Sequence, residues 1–278
     1  MSSNPMNWEV GLKALWGASA MPFGAAVREP YAGAGYASVL ARLQQLAGVR
    51  AHGLLWGLNG VVKSLLVQQW RASLSPKQYR VWSVTHTSLS GGDLLRHLAH
   101  QAGRTPHMWR SDNVRLVQQV WSEGAPLWPV LVIEEAQNLS VAALEEVRLL
   151  SCASPDTQSP FSLLLVGDET LLPRLSLGIH RALLSRLGFA LELRPLDRAE
   201  ALAYLENRLR QVAIVSNPLE PPAQELIVQT AQGRPRVLNH LAQRAFEEAL
   251  LDQSRVVTAA HAQRALDRLP WLARLAES

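Results

Sequence analysis

The sequence predicts an α/β chain, with a five-stranded parallel sheet between helices over about residues 36–195 and a small helical domain over 196–278. Three observations carry this reading. Short apolar strands alternate with longer helical stretches, the signature of a parallel sheet covered on both faces. The segments "PVLVI" at 129–133 and "LLLV" at 163–166 are apolar at every position, as strands buried on both faces are. From Asp197 onward the strand pattern stops and only amphipathic helical stretches remain.

In chain order, residues 1–35 are rich in Gly, Ala and Pro with isolated aromatics, and read as an irregular N-terminal arm. "YASVLARLQQLAG" at 36–48 has apolar residues at helical spacing, and "AHGLLW" is a short strand running into a glycine loop. A helix follows from Ser64 to about Leu74, then "YRVWSVTH" at 79–86 alternates as a strand. "GGDLLRHLAHQAG" and "DNVRLVQQVWSEG" read as helices; "GRTPHMWRSDNVR" at 103–115 includes the polar connection between them. "PVLVIEEAQNL" is a buried strand ending in two acids, "VAALEEVRLLSCA" a helix, and "FSLLLVGDE" another buried strand. "ALLSRLG" is a short helix and "FALELRPL" the fifth strand. "DRAEALAYLENRLRQVA", "PPAQELIVQTAQG", "RVLNHLAQRAFEEALLDQ" and "TAAHAQRALDRL" complete the chain as helices.

Bulk properties narrow the function classes. With 278 residues, 48% of them hydrophobic and 18% charged, the chain can bury a sizeable core and is not a disordered segment. Its apolar runs are too short to cross a bilayer, and it lacks the basic start and apolar stretch of a secretory leader. Cys152 stands alone, which fits a reducing compartment. These features lead us to expect a cytoplasmic chain with no membrane partner. The net charge is +4, and only Lys13, Lys63 and Lys77 among 27 basic residues are lysines. Arginine suits bidentate phosphate contacts, although no basic run marks a nucleic-acid patch, and ordinary solvated surface is the plainer reading of the charge.

The chemistry concentrates at two places. "GLNGVVKS" follows a strand and opens a helix, the context in which the phosphate-binding pattern G-x-x-x-x-G-K-S/T has a mechanism. Backbone N–H groups of Gly57, Asn59, Gly60, Val61, Val62, Lys63, Ser64 and Leu65 would surround phosphates, Lys63 would reach β/γ oxygens, and Ser64 would hold Mg²⁺. The pattern fails at one position, where Val62 replaces glycine. "VLVIEEAQ" places Glu134 and Glu135 at the carboxyl end of a strand, where ligands gather in open α/β sheets. Glu134 would contact Mg²⁺ through water, and Glu135 would act as general base toward a water. Asp168, ending "LLLVG", is placed to touch a γ-phosphate or that water. Arg234 and Arg236 open a helix of the second domain, and Arg181 or Arg186 would serve in trans as an arginine finger.

The order "GLNGVVKS", "VLVIEEAQNL", "LLLVGDE", "LLSRLGFALELRPLDRAEALAYLENRL" and "GRPRVLNHLAQRA" resembles the AAA+ ATPases of the ExeA/TniB type over about residues 35–270. That resemblance implies a AAA+ P-loop core with a helical lid, and ATP with Mg²⁺ as substrate and metal. It implies Lys63 and Ser64 as the Walker A pair, Glu134 and Glu135 as Walker B, Asp168 as sensor 1, Arg186 as the finger and Arg236 as sensor 2. Three residues depart from the family pattern: Val62 for glycine, Glu134 for aspartate, and Asp168 for a neutral polar residue. Val62 is the serious departure, because a β-branched side chain takes up space that lets N–H groups approach phosphate.

The resemblance carries three functions. One is a regulator of DNA transposition that binds duplex DNA without strong sequence preference, associates into a ring or filament, and recruits a transposase. A second is a secretion-type ATPase of the same fold. A third is a non-hydrolysing scaffold for protein contacts. The DNA contacts are expected at 103–115, where Arg104, Arg110 and Arg115 lie with His107 and Trp109.

Overall fold

The computed structural model describes residues 8–24, 33–85, 88–152 and 159–272. Its elements in chain order are α1 (Trp8–Trp16), α2 (Ala34–Gly48), β1 (His52–Trp56), α3 (Lys63–Ser73), β2 (Tyr79–Val84), α4 (Gly91–Gln101), α5 (Arg110–Glu123), β3 (Trp128–Ile133), α6 (Val141–Ser151) and β4 (Ser162–Gly167). Then follow α7 (Leu171–Leu175), α8 (Arg181–Leu184), β5 (Leu187–Glu192), α9 (Arg198–Arg210), α10 (Pro221–Ala231), α11 (Pro235–Leu251) and α12 (Ala259–Asp267). Contacts divide the chain into two units. One comprises Tyr36–Asn59 and Lys63–Leu193; the other takes the described residues up to Gly35, Gly60–Val62, and those from Arg194 onward.

The first unit is built on five parallel strands in the order β2-β3-β4-β1-β5. Burial along each strand follows its place in that order. β4 is buried at every position and β3 from Pro129 on, whereas the edge strand β5 buries only Leu191. This is why β3 and β4, two of the three interior strands, are apolar runs and the edges alternate. Gly53 in β1 has a packing reason: a Cβ there would lie 2.3 Å from Leu46 Cδ1 of α2, so any side chain would force that leucine to shift. Ser90 caps α4 by accepting from the Asp93 N–H at 3.2 Å, and Ser140 caps α6 by accepting from the Ala143 N–H at 3.1 Å. These caps fix where the helices that cover the sheet begin.

Register determines what emerges at the carboxyl ends. Trp56 pairs with Gly167 and Ile133 with Leu165, so Gly57, Glu134 and Asp168 leave three adjacent strands on one edge. The Glu134 N–H still donates to the Val84 carbonyl at 2.9 Å, which carries the ladder one residue beyond β3.

The second unit is helical. Leu238, Leu241, Ala242, Ala245, Phe246 and Ala249 form a fully buried stripe along α11, and residues of α9, α10 and α12 pack against it. Its N-terminal contribution corrects the expectation of an irregular arm. Residues 8–16 form α1, Leu12 is buried, and Trp16 meets Phe246 edge-on with ring centroids 5.1 Å apart. Gly11 is the reason α1 and α11 can pack closely. A Cβ on Gly11 would lie 2.8 Å from Leu250 Cδ1, so the missing side chain admits α11. In the segment 103–115, α5 starts at Arg110, two residues earlier than expected, so Arg110 lies on the helix with Arg115 and Arg104 lies in the connection.

Candidate functional site

The loop between β1 and α3 carries the residues expected to surround phosphate. Lys63 is buried, and its Nζ donates to the carbonyls of Gly57 at 2.7 Å and Leu58 at 3.0 Å. The ammonium is therefore held inside the curve of its own loop. Asn59 and Ser64 are exposed, Leu65 is half-buried and Val61 is buried. Gly60 has φ +94° and Val62 φ +62°. The left-handed region is open to glycine and costs a β-branched residue about 1–3 kcal/mol. Val62 thus stands at a position whose backbone asks for glycine. The penalty is conformational, in addition to the space its side chain occupies.

Gly60–Val62 belong to the helical unit, and the Arg236 N–H in the first turn of α11 donates to the Gly60 carbonyl at 3.1 Å. The Arg236 side chain is exposed. Gly233 shapes the turn before α11: it has φ +68°, and a Cβ there would come within 2.0 Å of the Leu196 carbonyl oxygen. The "QGRPR" turn that presents Arg234 and Arg236 therefore requires this glycine.

The acidic side of the site is a cross-braced turn. Glu135 has φ +51° and opens a 3-10 turn over Ala136–Asn138. Gln137, which sequence reasoning missed, ties two strand ends together. Its Nε2 donates to Glu135 Oε2 at 2.7 Å, and its Oε1 accepts from the Asp168 N–H at 3.3 Å. Gly167 leaves room for this, since a Cβ would lie 2.7 Å from Gln137 Oε1. Arg174 of α7, also missed, donates to the carbonyls of Gln137 and Leu139 and fixes the same turn from the other side. The only signal for either residue was its position soon after a motif acid. Asp168 Oδ1 accepts from Thr170 N–H at 3.0 Å and from Thr170 Oγ1 at 2.5 Å, so this carboxylate is committed to its own turn. Glu134 is half-buried, and its carboxylate makes no hydrogen bond among the described residues.

Arg186 is elsewhere. It directly precedes β5, whose first residue, Leu187, pairs with His52 at the start of β1. Arg186 therefore sits at the amino edge of the sheet. The five residues of β1, roughly 16 Å of strand, separate that edge from Gly57. His52 at the same edge is buried, and its Nδ1 accepts from the Leu163 N–H at 3.0 Å. Burial, and to a lesser extent the Arg186 charge, push this imidazole down to about 4, so it is neutral at physiological pH.

The expected DNA-contact arginines are largely engaged. Arg110 makes a bidentate pair with the buried Glu146, and Arg104 holds Glu123 at 2.8 Å. Arg115 is exposed, and beside the segment Met108 and Trp109 stand 83% and 68% exposed. No helix among the described residues is long and apolar enough to cross a membrane.

Comparison with known proteins agrees with this geometry. The AAA domain family matches residues 47–175. General secretion pathway protein A of Aeromonas hydrophila is 29% identical over 117 residues, covering 42% of this chain and 21% of that protein. The chain thus spans about a fifth of that relative's length. Among solved structures, Cdc6p from Pyrobaculum aerophilum superposes with a TM-score of 0.71 at 13% identity, over 89% of this chain and 70% of the other. The Aeropyrum pernix ORC1 protein, solved in complex with DNA, gives 0.66 at 16% identity over 90% and 68%. The Thermotoga maritima RuvB Holliday junction branch migration motor gives 0.58 at 20% identity over 87% and 73%. Sheet order and these likenesses show the α/β AAA+ P-loop fold, and residues 47–175 match the AAA domain family.

Proposed function

We propose that this chain is a AAA+ ATPase regulating DNA transposition. It binds ATP weakly at the loop from Gly57 to Leu65, associates with copies of itself, contacts duplex DNA and recruits a transposase. The observation that carries the self-association is Arg186. An arginine at the amino edge lies too far along β1 to reach the nucleotide loop of its own chain, which supports a role at the site of a neighbour. The DNA and transposase parts rest on the motif order described above. Arg115 and the exposed Met108 and Trp109 are the surface left for DNA, now that Arg104 and Arg110 hold carboxylates.

The site suits Mg²⁺. Ser64 offers an exposed hydroxyl on the first turn of α3 and Glu134 an unengaged carboxylate, a pair of hard oxygen donors. Mg²⁺ held there would offset charge on phosphate oxygens. Lys63 supplies the cation of the loop, Glu135 accepts a proton from water while Gln137 holds its carboxylate, and Arg186 of a neighbouring copy meets the charge of the transferred phosphoryl group. Val62 weakens all of this by distorting the N–H cradle.

The test is ATP-analogue binding and turnover for this chain and for Val62→Gly, with duplex DNA titrated across salt. Recovery of binding in Val62→Gly and a steep salt dependence of DNA affinity are expected. Tight ATP binding by the chain as it stands would show that the loop adapts to valine. A secretion-type ATPase is the second reading, favoured by the similarity to General secretion pathway protein A, and salt-independent DNA affinity would select it. Failure of Val62→Gly to bind nucleotide at all would select a scaffold.

A further inference from the structure

Arg186 does not stand alone at the amino edge of the sheet. Arg50, at the end of α2, has φ +57°, a strained conformation for a non-glycine residue, and its N–H donates to the Ala47 carbonyl at 3.1 Å. That backbone carries its guanidinium to 4.3 Å above the Trp128 ring centroid. Trp128 is anchored in turn by its indole N–H, which donates to Ser162 Oγ at 2.9 Å. A cation stacked on a fixed aromatic face is pre-oriented without being neutralised. Arg50, Arg186, His52, Trp128, Ser159 and Ser185 line one cavity of about 490 Å³.

The charge balance of that cavity is one-sided. Among the described residues no carboxylate lines it, and neither arginine has an ion pair. His52 adds no charge, since its ring is kept neutral and one nitrogen is used by the Leu163 N–H. Two guanidiniums and two serines around a polar cavity form a receptor for a phosphate oxyanion. The chain's own nucleotide loop lies at the far end of β1, so the phosphate comes from outside the chain.

We propose that Arg50 is a second trans-acting arginine, and that Arg50 and Arg186 together form a polyphosphate site filled by the nucleotide of a second copy of this chain. This rests on the reading of Arg186 given above and names the residue that shares its task. Trp128 is the positioning residue: it aims Arg50 and touches no phosphate.

Two measurements test it separately. The first uses the Lys63→Ala chain, whose own loop is disabled, titrated with sodium tripolyphosphate and read by calorimetry. Binding is expected, weakened about 10-fold by Arg50→Ala and again by Arg186→Ala, since each removes a charge-assisted contact. Equal affinity with and without both arginines overturns the site, whatever becomes of the ATPase reading. The second uses the Val62→Gly chain with ATP and Mg²⁺, read by sedimentation and turnover. Arg50→Ala is expected to reduce nucleotide-dependent assembly about 10-fold while leaving the single chain's nucleotide affinity unchanged. Trp128→Leu should act in the same direction more weakly, and Arg50→Lys should rescue in part. An Arg50→Ala chain that assembles normally, or that loses its own nucleotide affinity, rejects the trans role. If tripolyphosphate binds through both arginines but duplex DNA displaces it and nucleotide-bound copies do not, the phosphate belongs to nucleic acid and the proposal fails.

Discussion

The two edges of the sheet hold their charges in opposite ways. At the carboxyl edge nearly every functional group already has a partner: Lys63 on the Gly57 and Leu58 carbonyls, Glu135 on Gln137, Asp168 on Thr170, and the turn itself on Arg174. At the amino edge Arg50 and Arg186 face a shared cavity with no acid among the described residues. An edge that satisfies itself is organised before anything binds. An edge with uncompensated cations is organised for something supplied from outside. Under the proposed function, an arginine so far from the loop would serve that chemistry in a neighbouring copy.

The largest expected effect breaks this comparison directly. Arg186→Ala in the Val62→Gly chain should lower ATP turnover by about 10³-fold, the usual worth of an arginine finger, and leave nucleotide affinity of the single chain unchanged. A loss of affinity in the single chain would mean that the two edges do not act on different copies. Next is Val62→Gly itself. Restoring glycine where φ is +62° should raise ATP affinity by about 100-fold, through two or three recovered N–H contacts. Its effect on stability should stay within about 1–2 kcal/mol, because relieved strain is offset by the greater freedom of glycine in the unfolded chain. A denaturant titration beside a fluorescent-nucleotide titration reads both.

His52 gives a third, pH-dependent test of the amino edge. Its folded value of about 4 lies below the ordinary 6.5, so the unfolded chain binds the proton more readily. Stability is therefore full above about pH 6.5 and declines as pH falls toward 4, by at most about 3 kcal/mol. Chemical denaturation at several pH values should show this decline, and His52→Phe should flatten it. The smallest effect belongs to the carboxyl edge. Gln137→Ala should leave nucleotide affinity within about 2-fold and cut turnover about 10-fold, because Glu135 loses the hydrogen bond that positions it. Equal turnover would show that Glu135 is held without Gln137.

How far the sequence could be read differs between the units. The inner strands were legible because burial on both faces leaves a continuous apolar run, and "PVLVI" and "LLLV" fall within β3 and β4. The helix α1 was not legible, because its burial depends on Phe246 and Leu250 more than 200 residues away. The segment 103–115 was legible only in part, because the partners of Arg104 and Arg110, Glu123 and Glu146, are known only once the helices are packed.

The sequence by itself determined the strand and helix alternation, the position of the loop before α3, and the acids at the end of β3. All of these are local patterns of spacing, and hydrophobic periodicity writes them directly into the chain. Tertiary structure alone decided which groups meet. Parallel strands need crossover connections, so spatial neighbours are set by strand order and not by nearness in the chain. β5 pairs with β1 and not with β4, and that pairing brings Arg186 beside His52 and Arg50. The same order sets Gln137 between Glu135 and Asp168.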